Sequence, residues 1–592
     1  MTRERRDTYG PPPFLSKGFR MPTVSAHVAL TLAQHIDHVF GVMGNGNAYF
    51  LDAIETQTDA TFTAVRHEQG SVVAADAHFR ASGRIAAATT TYGAGFTNTI
   101  TSLAEAVQAH VPLVLVVGDE PTSGPRPWDV DQIALASAVG ARTYTTGRAD
   151  AAATTVIAIE HALTYRVPVV LAIPYDVAAL EAGPVPEAPA PRIPAPLAPR
   201  GEFAGGMLDE IAAALAGAER PFLLAGRGAW LAGASEALGA LADATGALTA
   251  SSALGRGVFP DNRYDLGVTG GFGADGAMEL VRQADVAVVF GASLNQFTMR
   301  FGELFAPGTR VFQIDVAPTA THPHVGGFVR ADARVAAEAL VERLRNSGES
   351  APEAGDVPSA GTAAVRISGV VAAEAWRETV DIAAARAYPD GEELAPDGRL
   401  DPRSAARRVA ELLPEDRVVV SDGGHFIGWA NMYWPVAAPD RMMMVGTAFQ
   451  SIGQGWPSVV GATRARPETT VVLTSGDGGG LMAIPDLESA VRAAGGHGMA
   501  VIWNDAAYGA EVNLYGLKGL AEGPMLIPQV DFAAFGEAVG AEGVVVRTLD
   551  DLERLASWAS EDPAVRRFLV LDLRISGKVI APYQQEIIRV NS

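Results

Sequence analysis

Thr469–Gly509 reads TTVVLTSGDGGGLMAIPDLESAVRAAGGHGMAVIWNDAAYG. An apolar run of strand length ends in Gly476-Asp477-Gly478-Gly479, a helical pattern follows from Pro485 to Ala494, and a second apolar run ends in Asn504-Asp505. Apolar runs of this kind around a helix-length segment predict buried parallel strands of a βαβ unit. Ligands of open parallel sheets bind beyond the carboxyl ends of the strands, so both acidic turns are placed on one rim. Glycines there let backbone N–H groups approach phosphate oxygens, and a carboxylate with a second oxygen ligand suits a hard cation such as Mg²⁺. The stretch reads as a clamp for a metal and a diphosphate. A GDG turn alone is also an ordinary strand-to-helix turn with Asp as cap.

Working outward, RVVVSDGG, RMMMVGT and RFLVLDLR add strand candidates, and a domain is expected over residues 398–578. The start of the chain repeats the pattern in VFGVM (Val39–Met43), IAAATT (Ile85–Thr90), VPLVLVVG (Val111–Gly118) and VPVVLAIP (Val167–Pro174), which places a domain at residues 22–180. Residues 181–200 are saturated with Pro and Ala and read as a semi-rigid linker. RPFLLAGRG, ALTASSA, ADVAVVFGAS and TRVFQIDV define a middle domain at 201–345, followed by a connector at 346–397. Residues 1–21 and 579–592 are expected as tails. The predicted fold is α/β, three consecutive doubly wound parallel-sheet domains.

A chain of 592 residues is too long for one core at roughly 150 residues per domain. With 48% hydrophobic and 19% charged residues it is of ordinary globular composition. The net charge of −22 and the lack of any Lys/Arg-rich run make nucleic acid an unexpected partner. With no cysteine, disulfides, thiolate metal sites and a cysteine nucleophile are excluded. No apolar run is long enough for a signal peptide or a bilayer span, so no membrane partner is expected and a cytoplasmic location is.

The order GDG, helix, apolar strand, Asn-Asp, Tyr508-Gly509 resembles the signature of thiamine-diphosphate-dependent enzymes. Three further features share the resemblance: the VFG turn followed by HEQ (His67–Gln69), then YGAGFTN (Tyr92–Asn98), and FQSIGQGWPSVVGA (Phe449–Ala462). It runs from about Pro22 to Leu573, is similar to acetolactate synthases, and names the domains pyrimidine-binding, middle and diphosphate-binding. It implies thiamine diphosphate and Mg²⁺ as cofactors, with Asp477 as metal ligand and Gly476, Gly478, Gly479, Tyr508 and Gly509 around the diphosphate. The segment Ala493–Gly498 is one residue longer than in acetolactate synthases. Counting from Asp477 therefore selects Asn504 as second ligand, whereas anchoring on Tyr508-Gly509 selects Asp505, with the carbonyl of Ala507 third; the Tyr-Gly register is preferred. Asp422, Gly423, Gly424 and His425 end another strand where the family touches the diphosphate. Ile452 takes the place of the apolar wedge that bends the cofactor. Glu68 takes the place of the carboxylate that activates it, and burial against an aromatic ring would raise its pKa.

Pyruvate decarboxylases carry an Asp where this chain has Asn45, and a His-His pair where GDEPTSGPRPWDVDQIALASAVG holds no histidine. Asn45, Asn47, Thr91, Asp129, Asp131 and Gln132 remain as polar residues to line the site, Asn45 and Gln132 in catalytic roles. Glu511, in GAEVNLYG, is placed to shuttle protons. Gly226-Arg227-Gly228 offers a Gly-rich turn, but GASLNQFT (Gly291–Thr298) has Ser and Phe where the arginines that accompany FAD in some acetolactate synthases would stand, so FAD is doubted. The implied activity decarboxylates a 2-oxo acid and passes the acyl-anion equivalent to an aldehyde or second 2-oxo acid. The alternatives are a decarboxylase releasing an aldehyde, or a non-catalytic structural or regulatory homologue. The resemblance also implies a homodimer or homotetramer in which Glu68 of one subunit meets the clamp of another.

Overall fold

The computed structural model describes residues 21–349 and 375–591; most of the expected N-terminal tail and the first part of the 346–397 connector lie outside these. Three six-stranded parallel sheets follow one another. The first contains β1 (His38–Gly41), β2 (Thr61–Ala64), β3 (Ala86–Thr90), β4 (Leu113–Asp119), β5 (Arg142–Thr145) and β6 (Pro168–Pro174), in the order β2-β1-β3-β4-β6-β5. The second contains β7 (Pro221–Ala225), β8 (Leu248–Ser251), β9 (Asp265–Val268), β10 (Val286–Phe290), β11 (Arg310–Asp315) and β12 (Val325–Arg330), in the order β12-β11-β10-β7-β8-β9. The third contains β13 (Arg417–Ser421), β14 (Met442–Met444), β15 (Thr470–Gly476), β16 (Gly498–Trp503), β17 (Glu542–Val546) and β18 (Leu569–Leu573), in the order β14-β13-β15-β16-β18-β17.

The first and third sheets therefore share one strand order, which reverses between their first and third strands. The middle sheet has the order typical of dinucleotide-binding folds. Central strands such as β4, β6, β15 and β16 are buried at every position, which is why their sequences are uninterrupted apolar runs. The reversal points matter most, because the crevice beyond them is where an open α/β sheet binds ligand. In the third domain that crevice lies between the turns after β13 and β15, and in the first between those after β1 and β3.

The two outer domains dock against each other. The helix Glu68–Ser82 lies along the helix Gly455–Ala465, where glycine at 461 lets the backbone of Ala74 approach closer than any side chain would permit. The Arg66 N–H donates to Asp486 Oδ1 (2.7 Å), the Phe449 N–H to Glu105 Oε2 (2.7 Å), and Arg80 Nη1 to the Met444 carbonyl (3.1 Å). Arg80 is buried and ion-paired with both Asp76 and Glu105, so the charges at this junction are neutralised in place.

One expected boundary changes. Instead of trailing away as a tail, Pro582–Asn591 forms a helix that seats Tyr583 in the core. Its hydroxyl donates to the His425 carbonyl (2.6 Å), and its ring packs edge-on against Phe272. An apolar residue at 583 followed by Ile587 is enough to give this short helix a buried side.

Candidate active site

Asp477 opens the helix Asp477–Met482 directly after β15 and is 2% exposed. Its Oδ1 accepts from the Gly478 N–H (3.0 Å), while Oδ2 is buried without a donor. Burial, and then the charge of Asp505, push its pKa up to about 7. Asp505 follows the end of β16, where both carboxylate oxygens lack an aligned donor. His425 Nε2 lies 2.9 Å from Asp505 Oδ2, an electrostatic contact; burial opposes the imidazolium, but Asp505, Asp477 and Glu511 together raise its pKa.

The loop carrying these groups is strained and pinned. Ala506 adopts a left-handed φ of 64°, unusual for a residue with a side chain. Its carbonyl accepts from the Ile527 N–H (2.9 Å), and the Tyr508 N–H donates to the Met525 carbonyl (2.8 Å). The Tyr508 ring covers Gly478, where a Cβ would stand 2.6 Å from it. Asn504 is anchored through its amide nitrogen, Nδ2 donating to Asp572 Oδ1 (2.9 Å) and to the Val530 carbonyl (3.1 Å), while its Oδ1 is buried without a donor. Asp477, whose proton affinity the charge of Asp505 raises, keeps Oδ2 without a donor, and neither oxygen of Asp505 has an aligned one; a divalent cation would neutralise such a buried pair, so this residue set fits a metal. Among the described residues no three His, Cys, Asp or Glu side chains form a self-contained metal site, and further ligands would have to come from backbone or diphosphate.

At the turn after β13 the carboxylate of Asp422 is fully engaged by protein. Its Oδ1 accepts from the N–H groups of Gly423 (2.8 Å), Gly453 (3.0 Å) and Gln454 (3.1 Å), and Oδ2 accepts from Ser475 Oγ (3.2 Å). Asp422 therefore holds the Ile452 loop to the sheet. Ile452 lies half-buried in that loop, with its Cγ2 over Gly423. Gly424 takes a φ of 138°, and Gly476 faces the Phe426 ring. A Cβ on Gly479 would meet Asp422 Oδ2 at 2.6 Å, and Gly509 lies against the His425 ring. Asp422→Ala is expected to lower unfolding free energy by about 3 kcal/mol, because several buried N–H groups lose their acceptor. Urea denaturation would measure this, and a loss below about 0.5 kcal/mol would show that the loop is held otherwise.

Glu68 begins its helix after the cap His67, half-buried, with Asn98 Nδ2 donating to its Oε2 (2.9 Å). Gly95 keeps the backbone beside the other oxygen, a Cβ there lying 3.5 Å from Oε1. Gln69 Nε2 reaches the Gly453 carbonyl (3.4 Å), so this helix start borders the Ile452 loop. No hydrogen bond or ion pair among the described residues joins Glu68 to Asp477 or Asp505.

The remaining candidates divide. Asn45 is exposed and donates to the Tyr92 hydroxyl (3.2 Å). Gln132 is buried and its amide is used internally, accepting from the Gly93 N–H (2.9 Å) and donating to the Gly118 carbonyl (3.0 Å) and Asp119 Oδ1 (3.1 Å). It braces the turn after β3. Asn47 likewise closes its own turn, Asp131 caps the helix Gln132–Ala138, and Asp129 is clasped by Arg126, whose guanidinium stacks on Tyr92 at 4.0 Å. Thr91 accepts from the Gly46 N–H (2.9 Å). Glu511 is exposed at the far side of the clamp loop, its charge felt by His425. Asn98 was not singled out from sequence; only its place in YGAGFTN pointed to it.

Comparison with known proteins agrees with this layout. Residues 22–135 match the thiamine pyrophosphate enzyme N-terminal TPP binding domain, 208–344 the central domain, and 422–572 the C-terminal TPP binding domain. The chain belongs to the thiamine pyrophosphate enzymes. Within them it is an acetolactate synthase-like enzyme of the carboligase/decarboxylase class. It is 27% identical to a sulfoacetaldehyde acetyltransferase of Roseovarius nubinhibens, over 97% of this chain and 95% of that one. It is 26% identical to the acetolactate synthase large subunit of Haemophilus influenzae, over 88% of each. The fold matches that of a Rhodococcus jostii thiamine diphosphate-dependent 4-hydroxybenzoylformate decarboxylase with a TM-score of 0.72, at 20% identity, over 94% of this chain and 99% of that one.

Proposed function

We propose that the chain is a Mg²⁺-dependent carboligase that takes a 2-oxo acid, releases CO₂ and joins the remaining acyl unit to an acceptor carbonyl. The observation that carries the reading is the pair of buried carboxylates at Asp477 and Asp505, where Asp477 Oδ2 and both oxygens of Asp505 are left without an aligned donor. Asp477, Asp505 and the carbonyl of Ala507 would hold the metal, and the backbone of the Gly476-Asp477-Gly478-Gly479 turn would border the diphosphate. Thiamine diphosphate, when bound, supplies the nucleophilic carbon and the electron sink that decarboxylation needs. The protein's own work is then narrow. Glu68, fixed by Asn98, holds and moves a proton at its carboxylate; Ile452 and the loop tied to Asp422 shape the cofactor; Tyr508 and the flanking core exclude water.

Transfer to an acceptor is favoured over release of an aldehyde by the names of the relatives, an acetyltransferase and a synthase, and by the lack of histidine between β4 and the helix at Gln132. The test supplies purified protein with Mg²⁺, thiamine diphosphate and a panel of 2-oxo acids, with and without an added aldehyde or second oxo acid. CO₂ release with a coupled product supports the proposal, and free aldehyde as the sole product in both arms overturns it.

A homodimer or larger assembly completes this reading. Glu68 lacks any bond to the clamp of its own chain, and Met43 (66% exposed) and Trp128 (60%) leave apolar surface on the loops near Asn45. Sedimentation of the active protein is expected to show at least a dimer. A monomer with full activity would refute it.

A further inference from the structure

The carboxyl rim of the third sheet carries a second concavity, beyond β17 and β18. Arg547 follows β17, Arg574 follows β18, and with Arg399, Gln529 and Asp531 they line a cavity of about 370 Å³. That volume is within the range of small-molecule sites and larger than a lone inorganic anion requires. Three guanidiniums meet here in a chain of net charge −22. Arg574 is paired with the buried Asp572 (2.8 Å), yet its Nε is buried without a partner. Arg547 is exposed, and its side chain makes no ion pair among the described residues; the nearby Asp551 accepts instead from the Arg547 and Thr548 N–H groups. The single carboxylate lining the cavity, Asp531, caps the helix Phe532–Ala538 through the Ala534 N–H (2.9 Å). With its amide oxygen facing them, Gln529 accepts from Arg399 Nη2 (2.8 Å) and Arg574 Nη1 (2.7 Å) and fixes the spacing of these two forks.

The geometry points to a binding site for a small phosphate ester, separate from the cofactor clamp. Planar guanidiniums offer paired N–H groups to a tetrahedral oxyanion, and the remaining volume takes its organic part. The pocket is wired to the metal loop: Arg399 reaches the carbonyls of Asp505 and Asn504, both at 3.4 Å, and Asn504 donates to the Val530 carbonyl beside the cavity. An anion that draws Arg399 inward changes the support of Asp505, so its occupancy is felt in metal affinity. This second half rests on the proposed role of Asp505.

The experiment titrates glucose 6-phosphate, with glucose as control, into protein saturated with Mg²⁺ and thiamine diphosphate, at constant ionic strength, by calorimetry. Saturable binding of the ester alone, weakened at least tenfold in Arg547→Gln, is expected; Arg547 is exposed and makes no ion pair among the described residues, so the variant keeps the fold. Absence of saturable binding, equal affinity in the variant, or tighter binding of citrate than of the ester overturns the site. Saturating ester is expected to shift the half-saturating Mg²⁺ concentration at least threefold, and an unchanged value overturns the coupling alone. Failure of the clamp reading would show separately, as no thiamine diphosphate binding in the starting material.

Discussion

Asp477→Asn is expected to make the cofactor-free protein more stable at pH 8 while removing its ability to load Mg²⁺ and thiamine diphosphate. The carboxylate is buried, faces the charge of Asp505, and is raised from 3.8 to about 7. An acid whose folded pKa lies above its unfolded value holds its proton more readily when folded, so stability falls as pH rises from about 4 towards 7, and the penalty stands in full above 7. A displacement of that size corresponds to on the order of 4 kcal/mol. Asparagine keeps the shape, removes the repulsion and can donate to Asp505. A gain of about 4 °C or more in melting temperature at pH 8, shrinking towards pH 5, is the expected result in differential scanning calorimetry without metal. The wild type should gain further stability when Mg²⁺ and thiamine diphosphate are added, and the variant should not. An apo Asn variant that melts at or below the wild type at pH 8 would show that the two carboxylates are not in conflict.

The legibility of this chain follows burial. Strands β4, β6, β10, β15, β16 and β18, enclosed on both faces, announce themselves as unbroken apolar runs. The strands not read from sequence lie at or next to sheet edges: Thr61–Ala64, Arg142–Thr145, Asp265–Val268, Val325–Arg330 and Glu542–Val546. Such short strands with one side open lack that signal, as the half-exposed pattern of Arg142–Thr145 shows. The same contrast governs the site. Asp477 and Glu68 sit in turns whose spacing along the chain is itself a pattern, whereas the side chains placed against the site's carboxylates, Asn98 at Glu68 and His425 at Asp505, come from other segments of the chain. Residue type also misleads where a polar group completes the fold. Asp422 and Gln132 looked available for chemistry, yet their hydrogen bonds tie neighbouring segments together, Asp422 to the Ile452 loop and Gln132 to the turn after β3 and the end of β4.

Glu68→Gln is expected to cut turnover by a factor of about 10² to 10⁴ with little change in folding or in affinity for thiamine diphosphate. The amide is the same size, and its oxygen can still accept from Asn98 Nδ2, so the helix start at Glu68 and its contact through Gln69 to Gly453 persist. What is lost is a group that can both hold and release a proton. Rates of CO₂ release from 2-oxo acids, with melting temperature and cofactor titration run on the same samples, separate chemistry from structure. Asn98→Ala gives the complementary result: the carboxylate remains ionisable but loses its fixed orientation, and a drop of about tenfold in turnover is expected, smaller than for the amide. If Glu68→Gln lost less than tenfold, or if Asn98→Ala were the more damaging change, Glu68 would be holding the turn after β3 in place and proton transfer would have to be assigned elsewhere on the rim.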